Sequence, residues 1–205
     1  MKKQIVIEWV FGGKKGGSGK TTMLLTVADS LKFILDHKVK IVDKDPQASI
    51  YNAVDAKLSS RHFSDIDSEQ EDHYVLYDLP PYNDSSMNTI LAKSHLIIVP
   101  VKLSYADLLA AKQNYDDLRR KGFLDKTCIV FNEIRKPHNS AYRELKGLFL
   151  KHFQDVYIAQ TEISNLLAYR MILKNKIEGK AKIEAKMLID ELIVRTQNVH
   201  KTNNK

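Results

Sequence analysis

Cysteine is nearly absent: Cys128 is the single one in 205 residues. Metal clusters built on several thiolates are therefore excluded, and the apolar run 127–131 reads as the setting of a small buried thiol rather than a reactive one. Long hydrophobic runs are absent too. No stretch of 18 apolar residues occurs, so no membrane span is readable, and Met1-Lys2-Lys3 leads straight into a short apolar run carrying Glu8, which is not the layout of a signal peptide. The expected location is cytoplasmic. Internal repeats and low-complexity tracts are also missing. With 43% hydrophobic residues the chain can bury one full core, and a single domain over residues 1–205 is expected.

Negative charge is too scarce to balance the Lys/Arg of the second half. Residues 1–100 carry 12 Lys/Arg against 13 Asp/Glu, and residues 101–205 carry 20 against 12, so the net charge of +7 lies entirely beyond residue 100. A one-sided basic surface attracts phosphate backbones without reading sequence. Solvated charged faces look the same in composition, so both readings stand at this point.

Glycine is scarce as well, and what there is lies together. Five of eight fall in Gly12-Gly13-Lys14-Lys15-Gly16-Gly17-Ser18-Gly19-Lys20-Thr21-Thr22, between the apolar run 5–11 and a helical pattern over 23–35. A strand, a glycine-rich turn and a helix start in that order make a phosphate cradle. Glycines let backbone N–H groups converge, and the helix N-terminus favours an anion. Lys20 can reach terminal phosphates, and the Thr21 hydroxyl can ligate the accompanying Mg²⁺. The strict form of this pattern has glycine at position 14, where this chain has lysine. A surface loop with incidental lysines would not account for this register of glycines, Lys20 and Thr21.

Further apolar runs at 39–42, 73–79, 95–101, 127–131 and 156–158 alternate with helical patterns at 87–93, 105–121 and 141–152 and with final helices. The expected fold class is α/β, a mostly parallel sheet covered by helices on both faces. Trp9 is expected under a helix. In the helix at 105–121, Leu108, Leu109, Ala111, Tyr115 and Leu118 are expected inside and Lys112, Arg119, Arg120 and Lys121 outside. Arg143, Lys146 and Lys151 are expected in solvent. Ile183, Met187, Leu188, Leu192 and Ile193 form a stripe that should dock the last helix. His95 reads as a strand-edge histidine with no second ligand at suitable spacing. Residues 58–72 read as a polar, acidic loop.

Carboxylates stand where strands end. Asp43 and Asp45 follow the second run, the place where open α/β sheets bind ligands, although Asp45 also suits the cap of a helix starting after Pro46. Asp78 ends the third run, where it can hold Mg²⁺ through water. Asn132 closes the fifth and can offer a base edge both donor and acceptor, or serve as a turn former.

Lys15-Gly16-Gly17-Ser18-Gly19-Lys20-Thr21, then Asp43-Lys44-Asp45-Pro46-Gln47, then a hydrophobic strand ending in Asp78-Leu79-Pro80-Pro81, resembles the ParA/MinD family of deviant Walker A P-loop ATPases. The likeness covers nearly the whole chain and is greatest to short ParA proteins lacking an N-terminal helix-turn-helix domain. Leu79 departs from it, since many relatives have a small residue there. The resemblance implies a P-loop NTPase-like fold and a Mg²⁺-dependent ATPase. Lys15 would reach the nucleotide of a partner subunit, Lys20 would act at the phosphates, and Asp45 would orient the attacking water with Asp43 in support. Gly16, Gly17, Ser18, Gly19, Lys20, Thr21 and Thr22 would hold ATP, Asn132 would contact the adenine, and Thr21, Asp78 and Asp45 would serve the magnesium site. Residues 161–164 resemble the segment by which relatives contact nucleotide and partner subunit.

The same likeness implies a homodimer in the ATP-bound form, non-specific DNA binding on the nucleoid, and a centromere-binding ParB-like partner that stimulates hydrolysis. Arg170 and Lys174, in the densest cationic stretch, are the DNA-binding candidates. No stable membrane association is expected. A MinD-like positioning ATPase acting at a membrane or protein complex is the alternative. A metabolic ligase of the related P-loop class would need a small-molecule pocket that no residues specify.

Overall fold

Strand β1 (Ile5–Phe11), which feeds the glycine loop, lies inside the sheet rather than at its edge. In the computed structural model, residues 5–47, 50, 72–81, 87–135, 140–172 and 177–203 are described. The other strands are β2 (Lys38–Asp43), β3 (Asp72–Asp78), β4 (Leu96–Val101), β5 (Thr127–Phe131) and β6 (Tyr157–Ile158), and the sheet runs β2-β3-β1-β4-β5-β6. All five pairings are parallel. The chain goes out to β2, returns to β3, and then crosses β1 to reach β4. That reversal opens a crevice at the carboxyl ends of β1, β3 and β4, where α/β sheets take ligands.

Alternation along the strands sends side chains to two cores. Trp9, Phe11, Leu96, Ile98, Cys128 and Val130 face helices α1 (Lys20–Phe33) and α6 (Gly179–Asn203). Val10, Ile97, Val99, Val101, Ile129 and Phe131 face the other way, toward α2 (Asn88–Lys93), α3 (Tyr105–Arg120) and α4 (Ser140–His152). A sheet covered on both sides needs such unbroken apolar strands. Trp9 is fully buried, and its indole N–H donates to Thr196 Oγ1 of α6 at 3.0 Å, as its expected place under a helix requires. The buried Cys128 thiol is pushed well above its usual range by burial, so it stays protonated and unreactive.

Several expectations fail. Leu109 is 68% exposed, because the buried line of α3 runs through Ala111, Tyr115 and Leu118 and Leu109 is turned away from it. Ile183 and Met187 are also exposed; α6 docks through Leu188 and Leu192, as expected, with Ala181, Ala185 and Ile189 in place of the other two. Two apolar lines on one helix satisfy the same spacing rule, and packing chose the one with two alanines, which lets the helix come close. Lys146 is not free in solvent: its Nζ donates to Glu162 Oε1 at 2.6 Å. His95 does stand at the start of β4, as expected; its ring lies 4.9 Å from that of His200, and its Nδ1 accepts the Glu8 N–H. Residues 58–71, Lys174 and Lys176 lie outside the described residues.

Candidate functional site

Residues 12–19 turn sharply between β1 and α1. Gly17 and Gly19 take φ of 71° and 92°, a region in which side chains are strained. At Gly19 there is a second reason for glycine, because a Cβ there would stand 2.2 Å from Asn132 Nδ2. That amide N–H donates to Ser18 O at 2.9 Å. Asn132 thus presses on the phosphate loop from the end of β5, which the sequence did not suggest.

Lys20, the first residue of α1, is buried, and its Nζ donates to Lys15 O at 3.3 Å. Burial lowers its pKa, while Asp78 and Asp45 pull it back up. Thr21 Oγ1 donates to Asp78 Oδ2 at 2.6 Å. Asp78 is 1% exposed, and its carboxyl is pushed up to about 6, by burial first and by Asp43 and Asp45, against the Thr21 hydrogen bond and Lys20. The structure therefore brings Lys20, Thr21, Asp45 and Asp78 together around one point.

The loop after β2 is built by its own carboxylates. Asp43 accepts the Asp45 N–H at 3.0 Å and the Ile50 N–H at 3.3 Å, while Asp45 Oδ1 accepts the Gln47 N–H at 3.0 Å. These are local turns of the kind aspartate favours. Burial holds Asp43 above the usual carboxylate range.

Two buried oxygens in this region find no hydrogen-bond partner among the described residues: Ser18 Oγ and Asp78 Oδ1. Buried polar atoms are rarely left so. A carboxylate oxygen with no donor, beside a threonine hydroxyl and at the foot of a glycine loop, fits a hard cation with oxygen ligands. Bound Mg²⁺ would be held by Thr21 and Asp78 with Asp45 nearby.

Lys15 is engaged elsewhere. Its Nζ is 2.6 Å from Asp107 Oδ1, with the lysine side chain 37% exposed and the aspartate side chain 6%. Asp107 also accepts the Ser104 hydroxyl, and Ser104 Oγ accepts the Asp107 N–H at 3.1 Å, a reciprocal cap at the start of α3. Sequence reasoning missed Asp107. Its signal was a Ser-x-x-Asp at the start of a helix directly after the most apolar strand. Arg170 is exposed at the end of the short helix α5 (Leu167–Arg170), donating to Asn165 Oδ1 at 2.9 Å, far along the chain from the phosphate loop.

The family model of the CobQ/CobB/MinD/ParA nucleotide binding domain matches residues 9–193. The chain belongs to this family. ParA/MinD membership agrees with the order of the three motifs and with the site geometry. Among curated relatives, the virulence plasmid ParA family protein pGP5-D of Chlamydia muridarum (strain MoPn / Nigg) is 38% identical over 53 residues, which is 26% of this chain and 20% of that protein. The match thus spans about a fifth of that relative's length.

Solved structures align along nearly the whole chain. A plasmid partition protein of Borrelia burgdorferi B31, bound to AMPPNP, superposes with a TM-score of 0.69 at 16% identity, covering 95% of this chain and 100% of that one. The pNOB8 ParA bound to nonspecific DNA gives 0.63 at 12%, covering 95% and 99%. The MinC:MinD complex of Aquifex aeolicus gives 0.59 at 12%, covering 97% and 96%. These likenesses establish the P-loop ParA/MinD fold.

Proposed function

We propose that this ParA/MinD-family chain is a ParA-type ATPase that pairs face to face with a second copy around ATP, binds DNA non-specifically, and releases it after hydrolysis. In that role it partitions plasmid or chromosomal DNA together with a centromere-binding ParB-like protein. The observation that carries the reading is the convergence of Lys20, Thr21, Asp45 and Asp78 at one end of the sheet, with Lys15 on the neighbouring surface. Relatives bound to AMPPNP and to nonspecific DNA support it.

The residues divide the work by chemistry. Backbone N–H groups of residues 16–22 and the Lys20 ammonium take the phosphates, and magnesium, when bound, adds positive charge against the phosphate oxygens. Asp45 orients the attacking water, with Asp43 holding its loop. Asn132, held beside the cradle by its hydrogen bond to Ser18 O, takes the adenine edge. Lys15 must leave Asp107 to reach the nucleotide of a partner, so pairing with a second copy exchanges one carboxylate contact for a phosphate contact. Preorganised charge of this kind acts on the developing charge of the transferring phosphoryl group.

The net positive charge of the second half supplies the DNA surface, with Arg170 and Lys174 as its test residues. A second reading, a MinD-like ATPase at a membrane surface, is favoured by Ile183, Met187 and Val194, which stand exposed on α6 near Lys186. Co-sedimentation with DNA and with anionic liposomes, each in ATP and in ADP, separates the two. ATP-dependent retention on DNA, weakened by Arg170→Ala with Lys174→Ala and by salt, is the expected result. Retention on liposomes alone would overturn the DNA reading.

A further inference from the structure

Residues 159–165 continue from β6 along the end of β5. The Ile163 N–H donates to Phe131 O and the Ile134 N–H to Ile163 O, each at 2.9 Å, and the Asn165 N–H donates to Ile134 O at 2.9 Å. The segment is therefore stitched to residues 131–134, and through Asn132 to Ser18 of the phosphate loop. It stands three strand spacings from β1, about 14 Å across the sheet. On the ATPase reading Asn132 meets the adenine, and Ile163 is hydrogen-bonded to Phe131 and Ile134, the residues that bracket it.

Strand pairing alone does not anchor this segment, since β6 is only two residues long. Two carboxylates of α6 do it. Glu184 is buried and accepts the Ser164 N–H at 3.0 Å, the Ser164 hydroxyl at 2.6 Å and the Tyr169 hydroxyl at 3.1 Å, with Lys180 Nζ at 3.6 Å. Two turns later Glu191 accepts the Tyr157 hydroxyl at 2.7 Å and the N–H groups of Gln160 and Thr161 at 2.7 and 3.0 Å. Burial opposes the charge of Glu191, but these donors prevail and hold it below the usual carboxylate range. Desolvating two carboxylates is costly unless donors converge on them. Here most of the donors belong to residues 157–164, and that short segment is gripped at both ends from a single helix face.

We infer that Glu184 and Glu191 are positioning residues that fix residues 160–164 as the base-side wall of the nucleotide site. The inference rests on the ATPase reading and adds to it that α6 governs how the site receives the nucleoside, not the phosphates. Neither carboxylate touches the phosphate loop.

The test compares two probes on the full chain with Mg²⁺: ATP, and tripolyphosphate, which has no base. In calorimetric titrations, Glu184→Gln is expected to weaken ATP about tenfold, the equivalent of one charge-assisted hydrogen bond, while tripolyphosphate changes by less than about twofold. Discrimination of ATP from GTP should fall in parallel. Glu191→Gln should act in the same direction, and Ser164→Ala should be non-additive with Glu184→Gln. A merely structural role would lower the melting temperature and weaken both probes alike. Should Glu184→Gln fail to fold, Glu191→Gln and Ser164→Ala still decide the question. Equal losses on both probes, or none on ATP, would overturn the wall alone. A wild-type chain that binds neither probe would overturn the ATPase reading, and the wall with it.

Discussion

Replacing Asp78 by asparagine should make the nucleotide-free protein more stable at neutral pH. The carboxyl is pushed from an ordinary 3.8 to about 6, burial being the largest cause. The folded protein thus holds a proton that the unfolded chain gives up, so stability is present below about 4 and is lost as pH rises toward about 6. Two pKa units correspond to about 3 kcal/mol of burdened stability at pH 7.5. Asparagine carries no charge at any pH, and its amide oxygen can still accept the Thr21 hydroxyl. The amide N–H would take the place of an oxygen that has no partner, costing about 1 kcal/mol. A net gain of about 2 kcal/mol remains, or about 4–8 °C in melting temperature for a chain of this size. Circular-dichroism melts from pH 4 to 8 would read it. The two proteins should converge near pH 4 and separate above pH 6, and Mg²⁺ with nucleotide should stabilise the wild type more than the variant. A variant melting at or below the wild type at pH 7.5 would refute the argument that this carboxylate is held charged with one oxygen unpartnered.

Other consequences follow from the same geometry. Gly19→Ala places a Cβ 2.2 Å from Asn132 Nδ2 at a φ of 92°, so ATP affinity measured by fluorescence titration should fall at least about tenfold. Unchanged affinity would mean that the contact between Asn132 and the loop can yield. Asp107→Asn releases Lys15 from a pair worth up to about 1 kcal/mol in each of the two subunits, and ATP-dependent dimerisation, followed by analytical ultracentrifugation, should tighten by up to about thirtyfold. Weaker dimerisation would show that Asp107 serves the dimer rather than the free chain.

Much of this site could be read before any coordinates. Lys20, Thr21, Asp45 and Asp78 are each tied to the end of a strand or the start of a helix, and such positions are fixed locally by turn chemistry and apolar spacing. What could not be read depends on which surfaces meet. The order of strands leaves no mark in the sequence, so the contact of Asn132 with Ser18 and that of Lys15 with Asp107 were invisible. Helical spacing placed Leu188 and Leu192 correctly on the buried line of α6, but it set Ile183 and Met187 beside them where the fold buries Ala181 and Ala185. Nothing in the sequence marks Glu184 or Glu191, because only the packed fold shows which backbone N–H groups they receive. His95 and His200 meet for the same reason.

The central claim is that each nucleotide is completed by a lysine from the other subunit, and mixing two inactive variants tests it most directly. Lys15→Ala and Asp45→Ala should each bind ATP yet hydrolyse almost none. When the two are mixed in equal amounts, half of the randomly formed dimers are mixed, and each of these holds one complete centre: the Asp45 of the Lys15→Ala subunit and the Lys15 lent by its partner. Phosphate release should then return to about a quarter of the wild-type rate. A mixture as inactive as its components, with mixed dimers demonstrated by cross-linking, would contradict the shared centre.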